Sequence, residues 1–307
     1  MNNIIIDMGG TRVKLALFID NVLISQEIIP AQSQSGILNT LDSVEQVIVE
    51  MTNKKSVSSI DSIGISIPGI IDTKKNQILS INEKYVDGVG FDFTGWAKNK
   101  FQAGICMEND ARSALLGEWQ VGSGKGIDNI VMITLGTGIG GAALIEGRLL
   151  HGKHYQAGCL GGHFTIDFKG DRCNCGNKGC AESIASSWGL PKLAKKMGFH
   201  QENVDYKMLF EALAKGDPIA KDILDICIDA WSACAVNLIH AYDPEMIIFG
   251  GGVMQSADYI LPKVEEWINE YSWTPWGNVQ IKKAQLGDAA ALYGLDYWLT
   301  ETNSTAK

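Results

Sequence analysis

The sequence predicts an α/β protein of two lobes. Strand-like and helix-like patterns alternate along the chain, a strand-turn-strand opening occurs near the N-terminus and again near residue 130, and a glycine-rich stretch at residues 122–126 separates the halves. Length agrees, because 307 residues exceed one ordinary domain, and 46% hydrophobic with 20% charged content is enough to fill substantial cores.

The opening reads as an antiparallel meander of three short strands: the apolar run 4–6, an alternating stretch 13–18 and a third at 22–29, with turns at Gly9-Gly10 and Asp20-Asn21. Leu38, Leu41, Val44, Val47, Ile48 and Met51 then recur at helical spacing, and residues 63–67 form a buried strand that ends at Pro68-Gly69. A further strand ends at Met107, a helix covers 110–119, and the glycines and serine of 122–126 make a candidate hinge.

Beyond it, strand 130–135, a glycine turn and strand 142–145 repeat the opening. The chain after Glu182 is mainly helical, with an amphipathic segment at 219–241 that Asp243-Pro244 breaks. Strand 246–249 runs into Gly250-Gly251-Gly252, and a last helix at 288–299 is expected to pack back on the first lobe. The polar tail from Thr302 is expected to fray. The domains are thus an N-terminal lobe of residues 1–121 completed by 288–307, and a C-terminal lobe of residues 122–287.

A formal charge of -9 with no local basic patch argues against a nucleic-acid partner and for small-molecule work. No apolar run reaches transmembrane length, and the first residues lack the pattern of a secretory leader, so neither a membrane nor export is expected. Seven cysteines, three of them crowded at Cys173, Cys175 and Cys180, fit metal-bound thiolates in a reducing cytoplasm better than a disulfide framework.

Three glycine clusters sit at strand ends. In the first, Asp7-Met8-Gly9-Gly10-Thr11-Arg12-Val13-Lys14, paired glycines let amides approach a phosphate, Thr11 offers a hydroxyl and Asp7 a carboxylate for magnesium, held through water. Alone it reads equally as a Gly-Gly hairpin. In the second, Gly136-Thr137-Gly138-Ile139-Gly140-Gly141, threonine again stands among glycines; the turn leads into a strand rather than a helix, which disfavours a dinucleotide fingerprint. The third, Gly250, Gly251 and Gly252, offers bare backbone on which a flat adenosine could lie, or is a flexible turn. Together they point to a nucleotide bound between lobes.

Asn109-Asp110 stands where a strand stops and a helix starts, which suits a helix cap and equally a carboxylate base for a hydroxyl that attacks phosphate. His163 with Cys173, Cys175 and Cys180 makes a closed tetrahedral zinc set, structural rather than catalytic, with unpaired cysteines or a redox pair as the alternatives. Cys106, Cys159, Cys227 and Cys234 sit in apolar contexts and read as core. Glu182, two residues past the last cysteine, reads either as an acid at a helix start or as a ligand-facing carboxylate steadied by the zinc loop, which runs from residue 163 to 182.

These motifs, in this order over nearly the whole chain, resemble the ROK family of sugar kinases and repressors. The resemblance implies an actin-like ATPase (ribonuclease H-like) fold, two lobes each with a mixed β-sheet flanked by helices, and ATP-dependent phosphorylation of a hexose or hexose derivative, at the primary 6-hydroxyl. Asp7, Gly9, Gly10, Thr11 and Lys14 look like the first phosphate loop, Gly136, Thr137, Gly138 and Gly140 the second, and Gly250, Gly251 and Gly252 the adenosine contact. Gly69, Asn109, Asp110, His163 and Glu182 match sugar-binding positions, with Asp110 as the catalytic base. Mg-ATP, a structural Zn²⁺ and a homodimer are implied likewise.

One position departs from the pattern. Where the family usually has a sugar-binding glutamate before the histidine, this chain reads Leu160-Gly161-Gly162-His163, so an acceptor altered at carbon 1 or 2 is expected in place of plain glucose. A sugar-sensing regulator without kinase activity is the alternative; the first phosphate strand begins at Asn3, which leaves no room for a DNA-binding module ahead of it.

Overall fold

A computed structural model describes residues 1–82 and 84–305. The chain forms two compact units, one of Met1–Lys125, His151–Ala157 and Asp288 onward, the other of Gly126–Leu150 and Gly158–Gly287. Two boundaries differ from expectation. The first unit runs on to Lys125 because buried Glu118 gathers the glycine stretch: its Oε2 accepts Ser123 N at 2.9 Å and its carbonyl accepts Gly122 N and Gly124 N at 3.1 and 2.9 Å. Residues 151–157 also join this unit. His151 Nε2 lies 2.6 Å from Glu108 Oε2, and the wholly buried Arg112 donates from Nη2 to the carbonyls of Tyr155 and Ala157 at 3.0 and 2.7 Å.

In the first unit β1 (Asn2–Met8), β2 (Arg12–Ile19) and β3 (Val22–Pro30) form the meander. The chain continues through α1 (Ile37–Lys54), β4 (Ser62–Ile67), the hairpin β5 (Ile70–Asp72) and β6 (Gln77–Ser80), α2 (Phe93–Phe101), β7 (Gly104–Asn109) and α3 (Asp110–Val121). The sheet order is β3-β2-β1-β4-β7, with β4 and β7 added parallel. β7 extends past Met107, since Asn109 still pairs with Ile67. In α1, Leu38 is exposed and Ile37 takes the buried position.

An unbroken apolar strand is buried on both faces. Ile4 and Ile6 enter a core with Val44, Ile48 and Trp96, whereas Ile5 packs with Phe18, Leu292, Leu295 and Leu299. The latter three belong to the C-terminal helix, Ala290–Thr305, which therefore covers the second face and continues through the tail expected to fray; residues 306–307 lie outside the described residues. This helix lies close against α3, where a Cβ on Gly117 would strike the Ala290 backbone and one on Gly294 the Ser113 carbonyl.

The second unit repeats the plan. β8 (Ile130–Leu135), β9 (Ile139–Ile145) and the short β10 (Arg148–Leu149) are antiparallel neighbours; α4 (Ala181–Ala185), α5 (Leu190–Lys196), α6 (Tyr206–Ala214) and α7 (Pro218–Tyr242) follow, then β11 (Met246–Gly250), α8 (Ala257–Tyr271) and β12 (Gln280–Lys283). The order β10-β9-β8-β11-β12, with the last two strands parallel additions, matches the first sheet position for position. β9 starts at Ile139, earlier than residue 142, so Gly140 and Gly141 lie in the strand opposite Thr134 and Ile133.

The expectation that no segment reaches membrane-spanning length needs correction for α7. Its 25 residues, with mean hydropathy 1.4 in the most apolar window, meet that test by length and composition. The hydropathy reflects burial instead: Ile223, Leu224, Trp231, Ala235 and Leu238 are core residues of the second unit.

Truncating Leu295 to alanine should cost about 2–5 kcal/mol of unfolding free energy in urea titrations, because the face of β1 that it covers cannot close the gap.

Candidate active site

Asp7 lies near the end of β1, opposite Lys14 on β2 and Ser66 on β4. That register places three polar side chains on one face. Asp7 Oδ1 accepts the Ser66 hydroxyl at 2.9 Å, and Oδ2 accepts Lys14 Nζ at 3.0 Å; Lys14 Nζ also sits 3.2 Å from Asp288 Oδ1. Burial pulls the Lys14 ammonium down, but Asp7 and Asp288 outweigh it and hold its pKa above the usual range. Arg12 pairs with Asp288 as well, at 3.4 Å.

The Gly9-Gly10-Thr11 turn has its carbonyls engaged by the protein. Tyr85 Oη donates to Gly9 O at 3.1 Å, Ser33 Oγ to Gly10 O at 2.9 Å and Ala31 N to Thr11 O at 2.9 Å. With the negative ends of these peptides turned inward, the turn can present the amides of Gly10 and Thr11 and the exposed Thr11 hydroxyl to an anion, while the Gly9 amide is engaged by Asp7 O at 3.2 Å.

Helix capping at α3 belongs to Asn109. Its Oδ1 accepts Ala111 N and Arg112 N at 3.0 and 3.2 Å, while Nδ2 donates to Gly69 O at 3.1 Å and to Asp110 Oδ1 at 3.0 Å. Gly69, at φ +108°, thus ends β4 in contact with the pair. Glu108 steadies this corner from behind by accepting Asn109 N at 2.7 Å. Burial first, and the charge of Asp7 second, push the Asp110 carboxyl up to about 6. A carboxyl in that range takes up and releases protons near neutral pH.

In the second unit the turn between β8 and β9 is Gly136-Thr137-Gly138, with Thr137 exposed at its tip. Ser187 N donates to Gly136 O at 3.0 Å and Trp188 N to Thr137 O at 3.3 Å, so these carbonyls too face the protein. Glu182, in the first turn of α4, is nine-tenths buried and bridges the same elements: its Oε2 accepts Ile139 N at 2.8 Å and its Oε1 accepts Trp188 Nε1 at 3.2 Å. The third cluster lies beside this turn. A Cβ on Gly251, at φ +89°, would come within 2.7 Å of Leu135 N, while Gly252 faces open space.

His163, Cys173, Cys175 and Cys180 converge, with one ligand atom from each lying within 4.8 Å of all the others. His163 Nδ1 is 3.7 Å from Cys173 Sγ, and Cys175 Sγ is 3.7 Å from Cys180 Sγ. Sulfurs set tetrahedrally at zinc-thiolate bond length stand about 3.8 Å apart, so donor set and spacing both fit Zn²⁺. The ion would lock the loop into which Cys180 and Glu182 are built. The other ring nitrogen of His163, Nε2, faces Glu182 Oε1 at 4.0 Å. Cys106, Cys159, Cys227 and Cys234 are buried elsewhere, as their apolar contexts suggest. Leu160, just before this loop, is 38% exposed.

Sequence reading named the glycines, both threonines, Asp7, Asp110 and the cluster His163, Cys173, Cys175 and Cys180, but not Ser33, Ser66, Tyr85 and Trp188, which hydrogen-bond to residues of these motifs. Ser33, Ser66 and Tyr85 act through one side-chain hydrogen bond each to a motif residue and Trp188 through two, one of them from its backbone amide, and only the register of β1 with β4 could have pointed to Ser66.

Comparison with known proteins shows the family of the chain. The family model described as "ROK family" matches residues 3–302. A glucokinase of Thermotoga maritima is 28% identical over 303 residues, 94% of this chain and 94% of its own length. An N-acetylmannosamine kinase of Haemophilus influenzae is 28% identical over 98% of this chain and 96% of its own, and a xylose repressor of Caldicellulosiruptor bescii is 28% identical over 80% of this chain and 65% of its own. Among solved structures, a ROK family glucokinase from Streptomyces griseus in complex with glucose and AMPPNP superposes with a TM-score of 0.77 at 25% identity, covering 97% of this chain and 99% of that one.

Two outcomes are expected. Elemental analysis should find one zinc per chain, and Cys175→Ser should abolish it while lowering Tm by several degrees. Asp110 carries a folded-state pKa above its unfolded value, so its stabilising contribution is complete below pH 3.8 and is lost as pH rises through about 6. Asp110→Asn should therefore raise Tm at pH 8 in the absence of substrates, and raise it less at pH 4.

Proposed function

Because the chain belongs to the ROK family and is a sugar kinase of the actin-like ATPase fold, we propose that it transfers the γ-phosphoryl group of Mg-ATP to the 6-hydroxyl of a hexose or hexose derivative, with Asp110 as general base. The observation that carries this is the state of Asp110. Asn109 accepts both Ala111 N and Arg112 N, and the Asp110 carboxyl, which shares only Ala111 N of these two on Oδ1, is raised to about 6 and can take a proton.

In this mechanism the sugar is held by Gly69, Asn109, His163 and Glu182. As the hydroxyl oxygen attacks phosphorus and the bond to ADP breaks, the hydroxyl proton passes to Asp110, and the amides of Gly10 and Gly138 with the hydroxyls of Thr11 and Thr137 stabilise the phosphate charge, the amides of Gly9 and Gly136 being engaged by Asp7 O and Gly138 O. Asp7 would hold the magnesium of the nucleotide, which would offset phosphate charge, and Gly250, Gly251 and Gly252 would take the adenosine. Gly140, lying in β9, supports the turn from the strand. Zinc held by His163, Cys173, Cys175 and Cys180 would fix the loop that carries His163 and leads into Glu182.

Leu160 sets the acceptor class. An exposed apolar side chain cannot accept hydroxyls, so the sugar carries an altered or larger group at carbon 1 or 2, as in a β-glucoside, a mannose derivative or an N-acylated amino sugar. A coupled assay for ADP across a sugar panel tests this, and plain glucose preferred by a wide margin would sink it.

Asp110→Asn should lower kcat by about 100-fold or more. In the native enzyme kcat/KM should rise with pH through about 6 and then level, since the base works as the carboxylate. Near-normal turnover in the variant would remove Asp110 from its role.

A further inference from the structure

Two of the cations at the first glycine turn are held by carboxylates. Lys14 is bound by Asp7 and Asp288, and Arg12 by Asp288. Lys84 differs: it makes no ion pair among the described residues, and it is partly buried against the turn. A Cβ placed on Gly10 would overlap Lys84 Nζ and stand 2.7 Å from its Cδ and 2.9 Å from its Cε. The missing side chain of Gly10 is thus what lets this ammonium lie across the turn.

The backbone that carries Lys84 is fixed to the same turn. Tyr85 N donates to Ser33 O at 3.0 Å, Tyr85 Oη to Gly9 O at 3.1 Å and Ser33 Oγ to Gly10 O at 2.9 Å. Tyr85 is 1% exposed and adopts φ +53°, a conformation that a bulky residue keeps only where its surroundings over-determine it. Lys84 is therefore carried on a braced segment next to the turn.

We propose that Lys84 supplies the cation that binds the transferred phosphoryl group of the nucleotide, with Tyr85 and Ser33 as positioning residues that hold it there. The inference rests on the kinase mechanism above. The first turn shares a unit with Asp110, whose carboxyl feels the charge of Asp7, and the part of the donor that must meet the base is the transferred phosphoryl. A lysine without a carboxylate partner presents its full charge to the oxygens of that group, whereas Lys14 is largely neutralised.

The test compares Lys84→Met, Lys84→Arg and Tyr85→Phe in sugar-dependent ADP release and in calorimetric binding of Mg-AMPPNP and of AMP. Lys84→Met should lose about 100-fold in kcat, the scale of one preorganised electrostatic contact, with the KM for sugar nearly unchanged. Lys84→Arg should recover most of the loss, and Tyr85→Phe should fall between. Affinity for Mg-AMPPNP should drop about tenfold in Lys84→Met while AMP, which lacks the terminal phosphate, binds as before. Turnover within about threefold of the native enzyme in Lys84→Met, or equal weakening of both nucleotides, overturns the assignment. If the native protein releases no sugar-dependent ADP, the proposed kinase mechanism is what fails, and the AMPPNP-to-AMP contrast still decides Lys84.

Discussion

A peptide group can hold an anion only by its N–H end, so a phosphate-binding turn depends on having its carbonyls occupied elsewhere. Both glycine turns satisfy this by the same means. In one, a phenol, a serine hydroxyl and a backbone amide bind the three carbonyls from Gly9 to Thr11; in the other, the amides of Ser187 and Trp188 bind Gly136 and Thr137. Glycine makes these turns possible sterically, but the donors packed behind them set which way the peptides point.

The charges of the first unit are graded in a similar way. Asp7 is shared between the Ser66 hydroxyl and the Lys14 ammonium. Asp110 receives no cation among the described residues. Its carboxyl is balanced by Ala111 N, its own backbone N–H and the Asn109 amide, and desolvation with the charge of Asp7 outweighs them in favour of the proton. Two acids in one unit thus differ in role because one has an ion-pair partner and the other does not.

Much of this was legible in the sequence. The apolar run 4–6, the helical spacing in α1 and the Cys-x-Cys spacing each carry a local signature, and the C-terminal helix was expected on the first unit. What escaped notice lacks such a signature. β12, with the sequence Gln-Ile-Lys-Lys, is an edge strand with one apolar residue, and α8 carries Pro262 inside it. The glycines 140 and 141 read as loop because glycine signals a turn, yet a strand accepts them where another backbone approaches closely, as the Gly161 amide does at Gly141. The capping role at Asn109 and the clamp of Trp188 on Glu182 depend on distances that no spacing rule supplies.

The placement of the C-terminal helix bears on synthesis. The sheet of the first unit is encoded within the opening 109 residues, but one of its faces, with Ile5, Ala16, Phe18 and Cys106, is covered by Leu292, Leu295 and Leu299 from the far end of the chain. A ribosome moving at about 5–20 residues per second leaves that face bare for roughly ten to forty seconds after the strands emerge. Throughout that interval the nascent sheet is a sticky surface for chaperones or for other unfinished chains, and it is sealed only once Leu292, Leu295 and Leu299 have been made.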